Sequence, residues 1–406
     1  MKRVGIITLY HNNSNYGGIL QAYALNSAVC ALGYDCRVID YVQTPMRASE
    51  KLKRKMASEG LTGTVRTAVK NSARSVEGKV RRISGRRARP EIRARENEAA
   101  AFRSKIPHTE MCTAEELPRI AEQFDMFLCG SDQIWNMGGA GRFDPVYWLE
   151  FVPPGKGRAS YAASMPLPAI PERERDTIRR RVRALDCVSV RENQGKRLLE
   201  PLRDDEIPVV LDPVFLPETA CWEQLSGERL IREPYIYVYL LGDDARQREA
   251  VKALSEEMKI QIVFTPYLQS EYRACDKKFG DIRMSGGPEE FLNLIRYADF
   301  VFTDSFHASV FSILFRKQFW TFRRGRKNDR RNMDSRLESL TEMFGLADRL
   351  IDTENLTQRV YASRHLHYRT AERVLAREKA CSWDYLRNTL HSMEEKGKRF
   401  HESESA

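Results

Sequence analysis

The sequence predicts an α/β protein made of two doubly wound, Rossmann-like domains facing each other across a cleft. Two separate series carry this expectation: in each, a short apolar run is followed by a polar loop, a helical segment and another apolar run, the pattern of a parallel sheet. The buried runs end repeatedly in polar or charged residues, as strands do where an open sheet presents its ligand-binding edge. The length of 406 residues exceeds what one core normally serves.

The first series opens with a strand over Arg3 to Leu9, a polar loop over His11 to Gly18, a helix from Ile19 to Leu32 ended by Gly33, and a strand over Cys36 to Tyr41. Phe124 to Cys129 forms the next strand and runs into Gly130-Ser131-Asp132-Gln133-Ile134-Trp135-Asn136, and Ala159 to Ala163 and Val188 to Val190 look alike. Val209 to Asp212, followed by Pro213 and Pro217, has the stiffness of a connection. The second series has strands over Tyr235 to Leu241, Ile260 to Thr265 and Asp299 to Thr303, with helices over Ala245 to Met258, Pro288 to Tyr297 and Ala308 to Arg316. A long charged helix over Thr370 to Lys396 closes the chain. The expected division is 1–215, with a basic helical insertion over 43–108, then 216–370, then a C-terminal helix and tail over 371–406.

The net charge of +10 is concentrated in residues 47–105, where 18 Lys+Arg stand against 6 Asp+Glu, a local +12 that leaves −2 for the remainder. Glycines break this stretch and it has almost no aromatic residue to stack bases, so specific nucleic-acid binding is not expected. It reads either as a solvated helical insertion or as a basic surface meeting an anionic membrane or a lipid-linked phosphate. No run of about 18 apolar residues and no charged-then-apolar leader is present, so the expectation is a cytoplasmic protein, with the inner membrane face as a place of contact. Eight scattered cysteines without a CxxC pair suggest neither a zinc cage nor a disulfide framework, and no metal site is expected.

The densest candidate site is Thr303-Asp304-Ser305-Phe306-His307, between a buried strand and an apolar helix. His307 falls on the first turn of that helix, where free backbone N–H groups attract anions; a hydrogen-bonded core histidine is the plain alternative. Gly17 and Gly18 allow close backbone approach or simply a tight turn. Asp132 and Gln133 suit sugar hydroxyls and Trp135 a flat sugar face, unless Ser131-Asp132 only caps a short helix. Arg191, just beyond a buried strand, presents a fork suited to carboxylate or phosphate, or forms a surface ion pair with Glu192.

Taken in order, Asn15-Tyr16-Gly17-Gly18-Ile19-Leu20-Gln21, Gly130 to Asn136, Ser189-Val190-Arg191-Glu192, Leu211-Asp212-Pro213 and Thr303 to His307 resemble the polysaccharide pyruvyl transferase family, over roughly residues 1–330. The resemblance implies a two-domain fold similar to the GT-B glycosyltransferases, with phosphoenolpyruvate as co-substrate, no other cofactor, and a sugar or lipid-linked glycan as acceptor. A pyruvate ketal is the implied product. Arg191 matches the arginine that grips phosphoenolpyruvate and His307 the acid/base histidine. The expected donor set is Arg191, Ser305, His307 and Lys317, with the second domain as the donor side. The acceptor set is Asn15, Tyr16, Gly17, Asp132, Gln133 and Trp135, in the first domain. Two departures stand out: Ser305 occupies the slot of a second arginine, and Ala308 that of a glycine. Lys317, Arg316, Arg323 and Arg324 are the cations that could replace the missing arginine. The rival expectations are a GT-B-like glycosyltransferase using a nucleotide sugar and a non-catalytic glycan-binding homologue.

Overall fold

The computed structural model describes residues 1–43, 90–137, 143–267, 273–324, 334–354, 356–363 and 365–405, with side chains to 400. Most of the expected basic insertion, residues 44–89, lies outside the described residues, and its membrane contact with it.

Two parallel sheets form the frame. The first contains β1 (Arg3–Ile7), β2 (Asp35–Val38), β3 (Met126–Cys129) and β4 (Gly157–Ser160) in the order β2-β1-β3-β4. The second contains β5 (Tyr235–Tyr239), β6 (Gln261–Phe264), β7 (Ile282–Arg283), β8 (Phe300–Thr303), β9 (Gln318–Phe322) and β10 (Leu350–Ile351) in the order β10-β9-β8-β5-β6-β7. Every ladder is parallel. Strand order reverses between β1 and β3 in one sheet and between β5 and β8 in the other, and the crevice at such a point is where doubly wound sheets bind ligands.

The expected strand over Val188 to Val190 does not join a continuous ladder. Ala159 to Ala163, Val188 to Val190 and Val209 are linked only by isolated bridges. Serine side chains supply the cross-links there: Ser160 Oγ donates to the Ser189 carbonyl at 3.0 Å, Ser189 Oγ donates to the Ser160 carbonyl at 3.1 Å, and Ala162 N donates to Ser189 Oγ at 3.1 Å.

The helices that carry site residues, α1 and α9, begin two to three residues earlier than the apolar pattern suggests. α1 (Tyr16–Ala31) starts at the first residue after Asn15, whose side chain accepts from Gly18 N at 3.2 Å. A further helix, α2, covers 90–103, and α3 (Leu117–Ala121), α4 (Glu172–Ala184), α5 (Asn193–Leu199) and α6 (Thr219–Ser226) follow. The second half adds α7 (Ala245–Met258), α8 (Pro288–Arg296), α9 (Phe306–Leu314), α10 (Ser335–Met343), α11 (Leu356–Ser363) and α12 (Arg369–Ser405).

One continuous core joins the two sheets, because α1 packs on α8 and α9. Ile19, Leu20, Phe291 and Phe311 belong to this joint core. α12 then runs back to β4: Tyr385 Oη donates to the Ser160 carbonyl at 3.1 Å, Ser382 Oγ accepts from Leu211 N at 3.0 Å, and Lys396 pairs with Asp186 at 2.6 Å. The C-terminal helix thus clasps the first sheet from the far end of the chain.

Candidate active site

The two reversal points face each other, and the polar segments that leave β1, β3 and β8 meet there. After β8, Thr303 Oγ1 donates to the Tyr239 carbonyl at 2.6 Å and accepts from Ser305 N at 3.0 Å, which fixes the turn. Ser305 caps α9, its hydroxyl accepting from Ala308 N, so His307 occupies the first turn as expected. Asp304 accepts from Leu241 N and Gly242 N, both at 2.7 Å, and so ties the end of β8 to the end of β5.

His307 is enclosed. Its Nε2 lies 3.4 Å from Asp212 Oδ2, a close contact without hydrogen-bond geometry. The opposite edge of the ring lies against Gly17: a Cβ at that position would sit 2.7 Å from His307 Cβ and closer still to Cγ and Nδ1. Any side chain at residue 17 would displace the imidazole, which is the physical reason for a glycine in the first turn of α1. Gly130 is glycine for a related reason, with φ +126 and the Tyr161 carbonyl where a Cβ would go.

Asp212 is the hub. Its Oδ2 accepts from Arg191 Nη1 at 2.6 Å and from Ser131 Oγ at 3.2 Å, while Oδ1 accepts from Val214 N at 3.1 Å. Burial opposes its charge, but His307 and then Arg191 outweigh burial, so its carboxyl stays well below the usual carboxylate range. The Arg191 guanidinium lies 4.3 Å over the Phe306 ring and 3.5 Å from Asp132 Oδ1. Its side chain is 1% exposed, which excludes the surface-pair reading, and its Nε and Nη2 have no hydrogen-bond partner. Glu192 is equally buried; burial raises its carboxyl against the opposing pull of Arg191 and Arg336, with Oε1 accepting from Ser164 Oγ and Met165 N.

The loop after β3 does not cap a helix. Ser131 N donates to Gln21 Oε1 at 3.0 Å and Ser131 Oγ bonds the Ala162 carbonyl as well as Asp212, so Ser131 is a strut beneath the charged pair. Asp132, at φ +64, turns its carboxylate towards Arg191. Gln133 stays at the edge, half-buried, accepting from Asn136 Nδ2 at 3.1 Å.

Three expected site residues lie elsewhere. Trp135 offers no face to a sugar: it is fully buried, stacks on Trp148 at 4.3 Å and donates to the Tyr147 carbonyl. Tyr16 is a wedge between the domains, its ring stacked on Phe291 at 4.8 Å and its hydroxyl donating to the Gly286 carbonyl at 2.6 Å. Lys317 sits at the wrong end of the sheet. It directly precedes β9, whose Gln318 pairs with Phe300 at the start of β8, and its Nζ donates to the Arg296 carbonyl at 2.8 Å. His307 follows the other end of β8.

Two further residues complete the cluster, one expected and one not. Arg324, one of the cations after the histidine helix expected as a stand-in for the missing arginine, donates from Nε and Nη2 to the Asp304 carbonyl at 3.0 and 2.7 Å. Arg336, in the first turn of α10, is buried beside Arg191 and Arg324. Burial first, then the repulsion of those two arginines, lowers its pKa to about 10. No local sequence signal marks it, because it reaches the site only through the packing of α10 on α5, where Ser339 Oγ accepts from Asn193 N.

Beside this cluster, a cavity of about 470 Å³ opens between the loop over 12–15, α2 and the ends of β5 and β6. Asn13, Asn15, Arg95, Glu96, Tyr239 and Tyr267 are among its walls. Arg95 is buried, stacks over Tyr16 at 4.3 Å and donates to the Pro266 carbonyl. No group of three or more His, Cys, Asp or Glu able to hold a metal occurs among the described residues. No helix among them is long and apolar enough to cross a membrane.

The fold is that of the GT-B-like enzymes. UDP-N-acetylglucosamine 2-epimerase from Neisseria meningitidis superposes with a TM-score of 0.51 at 10% identity, covering 97% of this chain and 100% of the other. A glycosyltransferase from Rickettsia africae gives a TM-score of 0.50 at 11% identity, covering 97% and 98%. No curated protein matches the sequence. The family model for polysaccharide pyruvyl transferase matches residues 15–326, and the chain belongs to that family. The family match supports a transferase.

Proposed function

We propose that this protein transfers the pyruvyl unit of phosphoenolpyruvate to two hydroxyls of a sugar in glycan biosynthesis, leaving a pyruvate ketal and inorganic phosphate. The observation that carries the reading is the enclosed Arg191–Asp212–His307 array at the paired reversal points, in a chain of this family.

The chemistry delivers one proton to the terminal carbon of the enol phosphate and removes two from the attacking hydroxyls, so that the second proton ends on the departing phosphate. Protonation makes the central carbon oxocarbenium-like; the first hydroxyl adds, the C–O bond to phosphate breaks, and the second hydroxyl closes the ring. His307 is the group for these proton transfers, oriented by the Asp212 carboxylate on one side and by Gly17 on the other. Arg191 supplies Nε and Nη2, which make no hydrogen bond and lie only in longer ion-pair contacts with Glu192 and Asp132, to the anionic donor. The start of α9, capped by Ser305, adds backbone N–H groups and a positive helix end.

On the acceptor side, the loop over 12–18 runs from the cavity to His307, so Asn15 lines the space while Gly17 touches the histidine. Amide, tyrosine and arginine walls suit sugar hydroxyls, and the volume is in the range of small-ligand pockets. Asp132 and Gln133 border the charged pair from the β3 side. The reading places the reaction in the cytoplasm at the inner membrane face, where the basic stretch over 47–105 meets a lipid-linked acceptor; absence of salt-dependent sedimentation with anionic vesicles would remove that contact.

The test is phosphate release from phosphoenolpyruvate across a panel of diol-bearing sugars, with ketal formation followed by mass spectrometry. Release that needs a sugar and falls at least about 10²-fold in His307→Ala supports pyruvyl transfer. Thermal stabilisation by uridine diphosphate with silence towards phosphoenolpyruvate would instead identify a glycosyltransferase.

A further inference from the structure

Arg336 is hard to explain as a structural residue. It is 5% exposed, its Nε has no hydrogen-bond partner, and no described carboxylate comes within ion-pair distance of it. Arginines in protein interiors normally sit in paired, bidentate arrangements, because taking the charge out of water is costly. Its strongest charge interactions make matters worse: Arg191 and Arg324 repel it. Glu192 and Asp132 attract it but are engaged elsewhere, Glu192 with Ser164 and Met165, Asp132 facing Arg191. Arg191 likewise keeps two guanidinium nitrogens unbonded.

Two buried guanidinium groups with unused donors, backed by a third, form a site suited to an anion. We propose that Arg336, together with Arg191 and Arg324, binds a phosphate dianion, and that Arg336 is the principal phosphate-recognising residue. Arg336 with Arg191 and Arg324 as charged neighbours suits a doubly charged tetrahedral oxyanion better than a single carboxylate, since phosphate offers several acceptor oxygens to several forks. The arrangement is also one in which folding stability is given up for binding: the repulsion persists without ligand and is relieved by it. Identification of that phosphate with the leaving group of phosphoenolpyruvate rests on the proposed function; binding of phosphate itself does not.

The test titrates the full-length protein with inorganic phosphate, phosphoenolpyruvate and pyruvate, in wild type, Arg336→Met and Arg336→Lys, reading melting temperature. Arg336→Met is expected to melt at or above wild type without ligand, because an unpaired buried charge is gone. Its affinity for inorganic phosphate should fall at least tenfold, with Arg336→Lys intermediate and any response to pyruvate unchanged. Failure of Arg336→Met to fold, or a lowered melting temperature with an unchanged phosphate response, would show a structural arginine and overturn the proposal. Phosphate binding lost in Arg336→Met while wild type makes no ketal would uphold the phosphate site and sink the donor assignment. Ketal formation in Arg336→Met at an unchanged KM for phosphoenolpyruvate would leave pyruvyl transfer standing and overturn the assignment of Arg336 to the donor's phosphate.

Discussion

Gly17→Ala is the smallest change that should disable the site, and the contact between Gly17 and His307 sets its size. The new methyl would lie 2.7 Å from His307 Cβ, about 0.7 Å inside the 3.4 Å at which ordinary contact begins, and nearer still to two ring atoms. The backbone cannot easily yield, since Asn15 caps α1 here and Tyr16 is wedged between the domains. The imidazole must therefore leave its rotamer and its contact with Asp212. Overpacking of this kind costs about 1–3 kcal/mol, partly offset by the roughly 0.4–1 kcal/mol that Ala in place of Gly gains by restricting the unfolded chain. A net loss of about 1–2 kcal/mol in unfolding free energy is expected, together with a fall in phosphate release of about 10²-fold or more as the proton-transfer group moves. In a His307→Ala background two of the three overlapping atoms are gone and only the Cβ contact remains, so the penalty should drop by more than half. A double-mutant cycle of urea midpoints measures that coupling directly. Additive stabilities, or Gly17→Ala with wild-type turnover, would show that the histidine is not held by this glycine and would refute the positioning argument.

Arg191→Met leaves the Asp212 anion buried beside little but serine and histidine, so it should lose about 3–5 kcal/mol, and adding Asp212→Asn should restore much of that; a double variant no more stable than the single would show that the pair is not the source. The acid limb of stability should also depend on Asp212. Its folded carboxyl is depressed below the unfolded value of about 3.9, so the unfolded chain binds more protons there, and this stabilisation is complete above about pH 4 and lost as pH falls further. Urea midpoints should therefore fall less steeply between about pH 4 and pH 2 in Asp212→Asn than in wild type. Trp135→Phe and Lys317→Met probe the residues that the structure moves out of the site: each should leave the KM for phosphoenolpyruvate and for the sugar unchanged, with melting temperature lowered in Trp135→Phe by loss of the Trp148 stack. A raised KM in either would return that residue to the ligand.

Much of the fold was legible because local pattern and tertiary outcome agree. Ala245–Met258 is a helix over the residues that its pattern marks, bounded by the Asp244 cap and the left-handed Lys259. Phe300–Thr303 followed by a Ser305 cap places His307 on a first helical turn, as the residue types demand. Legibility failed where a side chain's surroundings come from distant elements. Trp135 has the sequence setting of a ligand-facing aromatic, but Trp148, thirteen residues on, covers it. Lys317 is near His307 in the chain, yet a helix of nine residues carries it to the opposite edge of the sheet.

By itself the sequence determined the alternation of strands and helices, the parallel sheets and the family, because these rest on apolar periodicity, caps and short motifs whose causes lie within a few residues. It also determined which segments would carry polar groups at strand ends. Only the tertiary structure decided which of those groups meet. Arg191 and Asp212 pair across 21 residues, Gly17 packs on a histidine 290 positions away, and Arg336 joins them from a helix with no motif at all. The physical reason is that charge pairing, steric support and desolvation depend on distances in space, and the two reversal points that bring these groups together arise from strand order, which no local stretch of the chain encodes.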